Sequence, residues 1–186
     1  MKVYLGWGVF SELCEYLMAD IELAIEKETG EKVNLVLDYS DRILLGEFPD
    51  EHLYSLKRVA AHIHFKGEPP ETSPAEADDI EDEELITYID TYKTDYHFGS
   101  FVFFSETVGV YLPLKGLKEP LHFEHEDRKI EICSVGSLYK LKDELLELKE
   151  KLKEKPLFVE LEILNKLLSW SEEAIKREKP LTIVGK

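Results

Sequence analysis

FVFFSETVGVYLPLKGLKEPLHFEHEDRKIEICSVGSLYKLKDELLELKEKL, residues 101–152, holds the elements around which the rest of the chain is arranged. Phe101-Val102-Phe103-Phe104 is an aromatic and β-branched run, and Val108-Gly109-Val110-Tyr111-Leu112 is a second. Ser105-Glu106-Thr107 separates them, so the pair predicts a β-hairpin. Neither run alternates apolar with polar, which predicts strands covered on both faces. Pro113 ends the second run because it cannot donate to a ladder. Ile130, Ile132 and Cys133 predict a third strand, and Ser134-Val135-Gly136-Ser137 a turn whose Ser137 caps the next helix. In that helix Leu138, Leu141, Leu145, Leu148 and Leu152 recur three and four apart and form one apolar stripe. Such a stripe could dock a second copy, but in a chain of this kind its ordinary use is packing on its own sheet. Lys140, Lys142, Glu144 and Glu147 fall off the stripe, and Pro156 marks the helix end.

Outward from this core, Val3 to Trp7 predicts a short strand. Ser11 caps a helix to about Thr29, with Leu13, Leu17, Ile21, Ala24 and Ile25 on its apolar face and Gly30 stopping it. Lys32 to Leu37 and Ile43 to Leu45 read as a hairpin across Tyr39-Ser40-Asp41. Pro49-Asp50-Glu51 opens a short helix, followed by Val59 to Phe65, where Val59, Ala61, Ile63 and Phe65 alternate as in a strand. Ile86, Tyr88, Ile89 and Tyr92 share a helical face. The final helix carries Leu161, Leu164, Leu168 and Ile175. Pro180 stops it, and Leu181, Ile183 and Val184 form a closing strand. Helices interleaved with strands in this manner predict a single α+β domain, residues 1–186, with a mixed or mainly antiparallel sheet packed against amphipathic helices.

Residues 67–84 stand apart as an acidic, proline-containing loop or mobile insertion. They contain Pro69, Pro70 and Pro74, and seven of the nine residues from Glu76 to Glu84 are acidic. The whole chain has 39 acidic against 23 basic residues, a formal net charge of −16. That charge repels nucleic acid and anionic membrane, whose recognition needs Lys/Arg patches, so neither is expected as a partner. It speeds approach to a basic protein partner. The residues expected to meet that partner are Glu76, Asp78, Asp79, Glu81, Asp82, Glu83, Glu84, Asp90, Tyr92 and Asp95. Forty-four per cent hydrophobic residues, with nine Phe and nine Tyr, mark a folded chain rather than a disordered one. There is no run of eighteen apolar residues, and the pattern at Met1-Lys2-Val3-Tyr4 leads to the expectation of no secretory leader. A cytoplasmic location follows as an expectation, with Cys14 and Cys133 as free buried thiols.

Chemical motifs are sparse. Gly6-Trp7-Gly8 is too short for a phosphate loop, and no Gly-x-Ser-x-Gly elbow occurs. No catalytic residue and no cofactor are expected. The alternative is a metal centre. His62 and His64, two apart in a strand, would point the same way and make half a site, which His97 or His122 could complete, with His125 and Glu124 nearby. Histidines facing solvent account for the same residues more simply.

The half from about Asp95 onward resembles small bacterial cytosolic proteins grouped with the immunity proteins that neutralise polymorphic toxins. The resemblance lies in Ser105-Glu106-Thr107-Val108-Gly109-Val110-Tyr111-Leu112-Pro113, in Glu119-Pro120, and in Ser134-Val135-Gly136-Ser137 followed by Leu141 and Leu145. Trp170, Ala174 and Pro180-Leu181-Thr182-Ile183-Val184-Gly185 extend it. It implies a non-catalytic inhibitor of a basic toxin domain and transfers no catalytic residue.

Overall fold

The computed structural model describes residues 1–12, 15–36, 38–75, 83–91, 97–103, 108–125 and 130–185. The side chains of residues 9, 11, 12, 15, 16, 90, 125 and 130–132 are excepted. In chain order the strands are β1 (Lys2–Leu5), β2 (Ile43–Glu47), β3 (Val108–Leu112), β4 (Leu121–His125), β5 (Ile130–Ser137) and β6 (Leu181–Val184). The helices are α1 (Glu15–Thr29), α2 (Asp50–Lys66), α3 (Glu83–Asp90), α4 (Gly99–Val102), α5 (Leu138–Leu152) and α6 (Phe158–Arg177), and a 3-10 helix, Trp7–Glu12, precedes α1. One sheet runs β2-β1-β6-β3-β5-β4. Among the described residues only β3 and β5 pair in parallel, so the sheet is mixed and the α+β expectation holds.

Strand β3 lies in the middle, and its unbroken apolar sequence follows from having a core on each side. Tyr111 joins Val3, Leu5, Leu181 and Ile183 under α2, α5 and α6. Val110 and Leu112 join Cys133, Val135 and the α1 residues Leu17, Ile21 and Ile25. Cys133 is a buried thiol outside any disulfide, and Cys14 lies outside the described residues. Strand β5 runs directly into α5. The Ser134 to Gly136 segment, expected to turn, is instead strand in register with β3. At Gly136 the backbone passes close to the Tyr111 ring: a Cβ would lie 3.0 Å from it, so any larger residue would have to displace that buried ring. Ser137 caps α5 as expected, accepting from the Lys140 N–H at 3.3 Å, and its hydroxyl also donates to the Leu114 carbonyl. The leucine stripe of α5 is buried from Leu138 to Leu152.

Three expected strands take other forms. Phe101 and Val102 belong to the short helix α4, so no hairpin joins them to β3. The Glu144 carboxyl receives the Ser100 and Phe101 N–H groups, supplying the partners a helix start lacks. Val59 to Phe65 is the second half of α2, where Leu53, Leu56, Val59, Ala60 and Ile63 are buried at helical spacing. Gly67, with φ of 83°, closes α2 by donating to the Ile63 carbonyl at 2.8 Å. Residues 31–36 form no strand, because the Leu35 N–H goes to Glu22 Oε1 of α1 at 2.6 Å. Their expected partner β2 pairs with β1.

The stripe geometry makes a direct stability prediction. Leu145→Ala, at a fully buried position, should lower unfolding free energy by about 2–5 kcal/mol. Leu146→Ala, at an exposed neighbour, should change it by less than about 0.5 kcal/mol in the same urea titration.

Candidate functional site

Between Lys66 and Lys93 the chain contains no Lys, Arg or His. It contains ten carboxylates: Glu68, Glu71, Glu76, Asp78, Asp79, Glu81, Asp82, Glu83, Glu84 and Asp90. Ten of the sixteen excess negative charges therefore sit in about an eighth of the sequence. Glu76, Asp78, Asp79, Glu81 and Asp82 lie outside the described residues, as do Tyr92 and Asp95, and the Asp90 side chain is not described. The structure shows what holds this stretch at each end.

At its start, Gly67 to Ala75 forms no helix or strand; Pro69, Ser73 and Pro74 are buried while Gly67, Glu68, Glu71, Thr72 and Ala75 are exposed, so the segment is an exposed loop pinned at a few points. Ser73 Oγ donates to Glu160 Oε1 at 2.7 Å. The same oxygen accepts from Ser55 Oγ of α2. Glu160 is fully buried in the first turn of α6. Lys155 Nζ pairs with Glu71 at 2.8 Å and holds its carboxyl below the usual range. Lys151 Nζ reaches the Gly67 carbonyl at 3.4 Å. At the far end, α3 buries Leu85 and Tyr88. Glu84 turns to α2, where His62 Nδ1 lies 2.6 Å and Lys66 Nζ 3.8 Å away. The Tyr88 hydroxyl donates to the His97 carbonyl. Glu83, Ile86 and Ile89 stay exposed, so the helical face expected to pair Ile86 and Ile89 with Tyr88 is split.

The histidines gather only in part. Because 59–65 is helical, His62 and His64 lie about 200° apart around α2 instead of on one strand face. His62 meets Glu84. The His64 ring packs edge-on against Tyr88 at 5.0 Å, and burial, then the nearby His97, lowers its pKa. His97 lies 3.6 Å from Glu147. His122 is on edge strand β4, with Glu124 exposed beside it, and the His125 side chain is not described. Among the described residues, no group of three or more His, Cys, Asp or Glu could hold a metal ion.

Two buried carboxyls escaped the sequence reading. Glu144 lies three residues from Leu141 and four from Leu148, so it completes the buried face of α5, and Glu160 does the same for Ile163 and Leu167 in α6. Glu144 borders a cavity of about 630 Å³ lined also by His97, Lys115, Lys118, Tyr139 and Lys140. Burial raises its pKa to about 7, against the pull of the Ser100 and Phe101 N–H groups and of Lys140. Tyr111, whose hydroxyl donates to the Ser100 carbonyl at 2.8 Å, is pushed well above the usual phenol range by burial and then by Glu144. Both Glu144 oxygens are occupied by backbone N–H groups, so the geometry makes this carboxyl a clamp on α4.

The acidic stretch is thus held at both ends by a folded body, and the chain matches a family model. This chain belongs to the family described as "Putative DNA-mimic protein", whose model matches residues 17–179. No curated protein and no solved structure matches it. Membership in a DNA-mimic family corrects one expectation, that nucleic acid has no place in this protein's interactions. The −16 charge does repel nucleic acid, but the same excess of negative charge is what a copy of nucleic acid requires. These comparisons carry nothing about toxin-immunity proteins. Among the described residues no helix is long and apolar enough to cross a membrane.

The Glu144 clamp yields a pH prediction with a definite sign. Its folded pKa is raised, so between about pH 4.5 and pH 7 the native state holds the proton more tightly than the unfolded chain, and stability falls as pH rises. Wild type should lose up to about 3 kcal/mol relative to Glu144→Gln between pH 4.5 and pH 8, read by urea unfolding. Parallel pH profiles for the two proteins would contradict it.

Proposed function

We propose that this protein is a non-catalytic DNA mimic that occupies the DNA-binding site of a DNA-binding protein in place of the duplex. The observation that carries this reading is the run of ten carboxylates without a cation, tied at both ends to the body of a DNA-mimic family member. A DNA-binding site presents Lys and Arg spaced for phosphates, and any rigid array of anions at similar density competes for it.

Magnitudes support the comparison. A chain of 186 residues packs to a radius of gyration of about 16 Å, a body about 40 Å across. Sixteen excess charges over that length average about one per 2.5 Å, against about one per 1.7 Å for duplex DNA. The average falls short of the duplex, and gathering ten of the sixteen into one stretch raises the local density. Steering by such a field accelerates encounter and weakens with salt over a Debye length of about 8 Å at physiological ionic strength.

Competition tests the reading. Proteins of the source organism that bind the immobilised chain are identified, purified and titrated with it in the presence of duplex DNA. Duplex should displace the chain from its partner, and raising salt from 50 to 200 mM should weaken the complex at least about tenfold. A partner held equally well under saturating duplex would refute DNA mimicry.

A further inference from the structure

The cavity of about 630 Å³ beside α4 and α5 shares no lining residue with the acidic stretch, and its size suits a small molecule. Its walls are mixed in charge. Lys115, Lys118, Lys140 and His97 contribute cations or hydrogen-bond donors, and Glu119, Asp143, Glu144 and Glu147 contribute carboxyls.

Position along α5 sorts these charges. Tyr139, Lys140, Asp143, Glu144 and Glu147 fall within about 140° of one another around the helix, so the cavity runs along one face of α5. Lys140 stands in the first turn. Lys115, from the connection between β3 and β4, joins it there, with Nζ 5.2 Å from the centre of the Tyr139 ring. Asp143 follows Lys140 by about 4.5 Å and Glu147 by about 10.5 Å along the axis. His97 lies at that far end, 3.6 Å from Glu147. Of the other acids, Glu144 is committed to the N–H groups of α4, and Glu119 has a partner of its own. Lys140 Nζ stays 3.9 Å from Glu144, outside hydrogen-bond reach. One end of the cavity is therefore cationic and the other anionic.

A lone anion would face the carboxylates of α5, and a lone cation would face three lysines. A molecule with a carboxylate at one end and an ammonium at the other satisfies both. An extended chain advances about 3.3–3.6 Å per residue, so two or three residues match the separation of the charged groups. Ser100, on the cavity wall, is an independent sign of a polar ligand. It is 2% exposed, its N–H goes to Glu144 and its carbonyl accepts from Tyr111. Its hydroxyl has no partner among the described residues, a cost that a polar ligand removes. We propose that this cavity binds a small zwitterion of dipeptide or tripeptide size, its carboxylate at Lys115, Lys118 and Lys140 and its ammonium at Asp143 and Glu147. The site stands apart from the DNA-mimic reading and does not rest on it.

The test titrates the full chain with the dipeptide alanyl-leucine by calorimetry at pH 7. One equivalent should bind with a Kd of about 1 mM or tighter. N-acetylalanyl-leucine lacks the ammonium, alanyl-leucinamide lacks the carboxylate, and free alanine holds its charges too close together. Each should bind at least about tenfold more weakly. Lys115→Gln/Lys118→Gln should weaken the dipeptide about tenfold and leave the amide unchanged. Asp143→Asn/Glu147→Gln should weaken the dipeptide about as much and leave the acetylated form unchanged. Ser100→Ala should weaken it about fivefold. The four charged side chains are exposed or half-buried, and an unchanged urea midpoint verifies that each variant folds. Should a double variant not fold, Lys118→Gln or Asp143→Asn alone should show the same direction. Absence of binding by both alanyl-leucine and trialanine overturns the inference. So does equal binding of the acetylated or amidated form, or wild-type affinity in both charge variants. None of these results bears on competition with duplex DNA, so DNA mimicry stands or falls separately.

Discussion

Charge repulsion is the constraint this structure has to satisfy. Ten carboxylates follow one another without a cation on a protein that is already strongly negative, so the stretch is pushed from its neighbours and from the body. The structure answers at the two ends. At the start, Ser73 is tied to the buried Glu160, with Lys155 and Lys151 adding contacts from the chain after α5 and from α5 itself. At the end, Glu84 is held by His62 and Lys66, while Leu85 and Tyr88 seat α3 on the core. The exposed ion pairs contribute little to stability individually. Their value lies in fixing where the charge is presented.

Those anchors in turn depend on how α2, α5 and α6 sit on the sheet. Serines on α2 and on the acidic stretch meet at a carboxyl on α6, which works only because α2 and α6 pack side by side over the face that contains Tyr111 and Ile183. The α5 stripe completes the same layer, and Glu144 on it clamps the start of α4, from which Tyr88 of α3 receives its carbonyl partner at His97. The same packing therefore fixes both described ends of the acidic stretch.

Local signals in the sequence specified a good part of this. The leucine stripe of α5, its Ser137 cap, the closing helix and strand, and the apolar run of β3 with cores on both faces each rest on a short-range pattern. Short apolar runs were ambiguous. Val59 to Phe65 satisfies a period of two as well as one of 3.6, and the helix prevails because Leu53, Leu56, Ala60 and Ile63 extend its stripe backward. Phe101 and Val102 are helical because of Glu144, a partner forty-three residues from Phe101. The acidic run was visible as charge, but its anchors Ser73 and Glu160 are ordinary residues in sequence and acquire a role only when α2 and α6 are brought together. The sequence argues against nucleic acid through the sign of its charge alone. Composition shows that a chain repels DNA and is silent on whether it resembles DNA to a third molecule.

The central claim is that the carboxylates between Ser73 and Glu84, a stretch with no Lys, Arg or His in its sequence, supply the field that draws in a DNA-binding partner. Stopped-flow association across a salt series tests it most directly, comparing wild type with a chain in which Glu76, Asp78, Asp79, Glu81 and Asp82 are replaced by their amides. The account predicts an association rate at least about tenfold slower at low salt, a shallower salt dependence and a nearly unchanged dissociation rate. Equal association rates with equal salt slopes would contradict it.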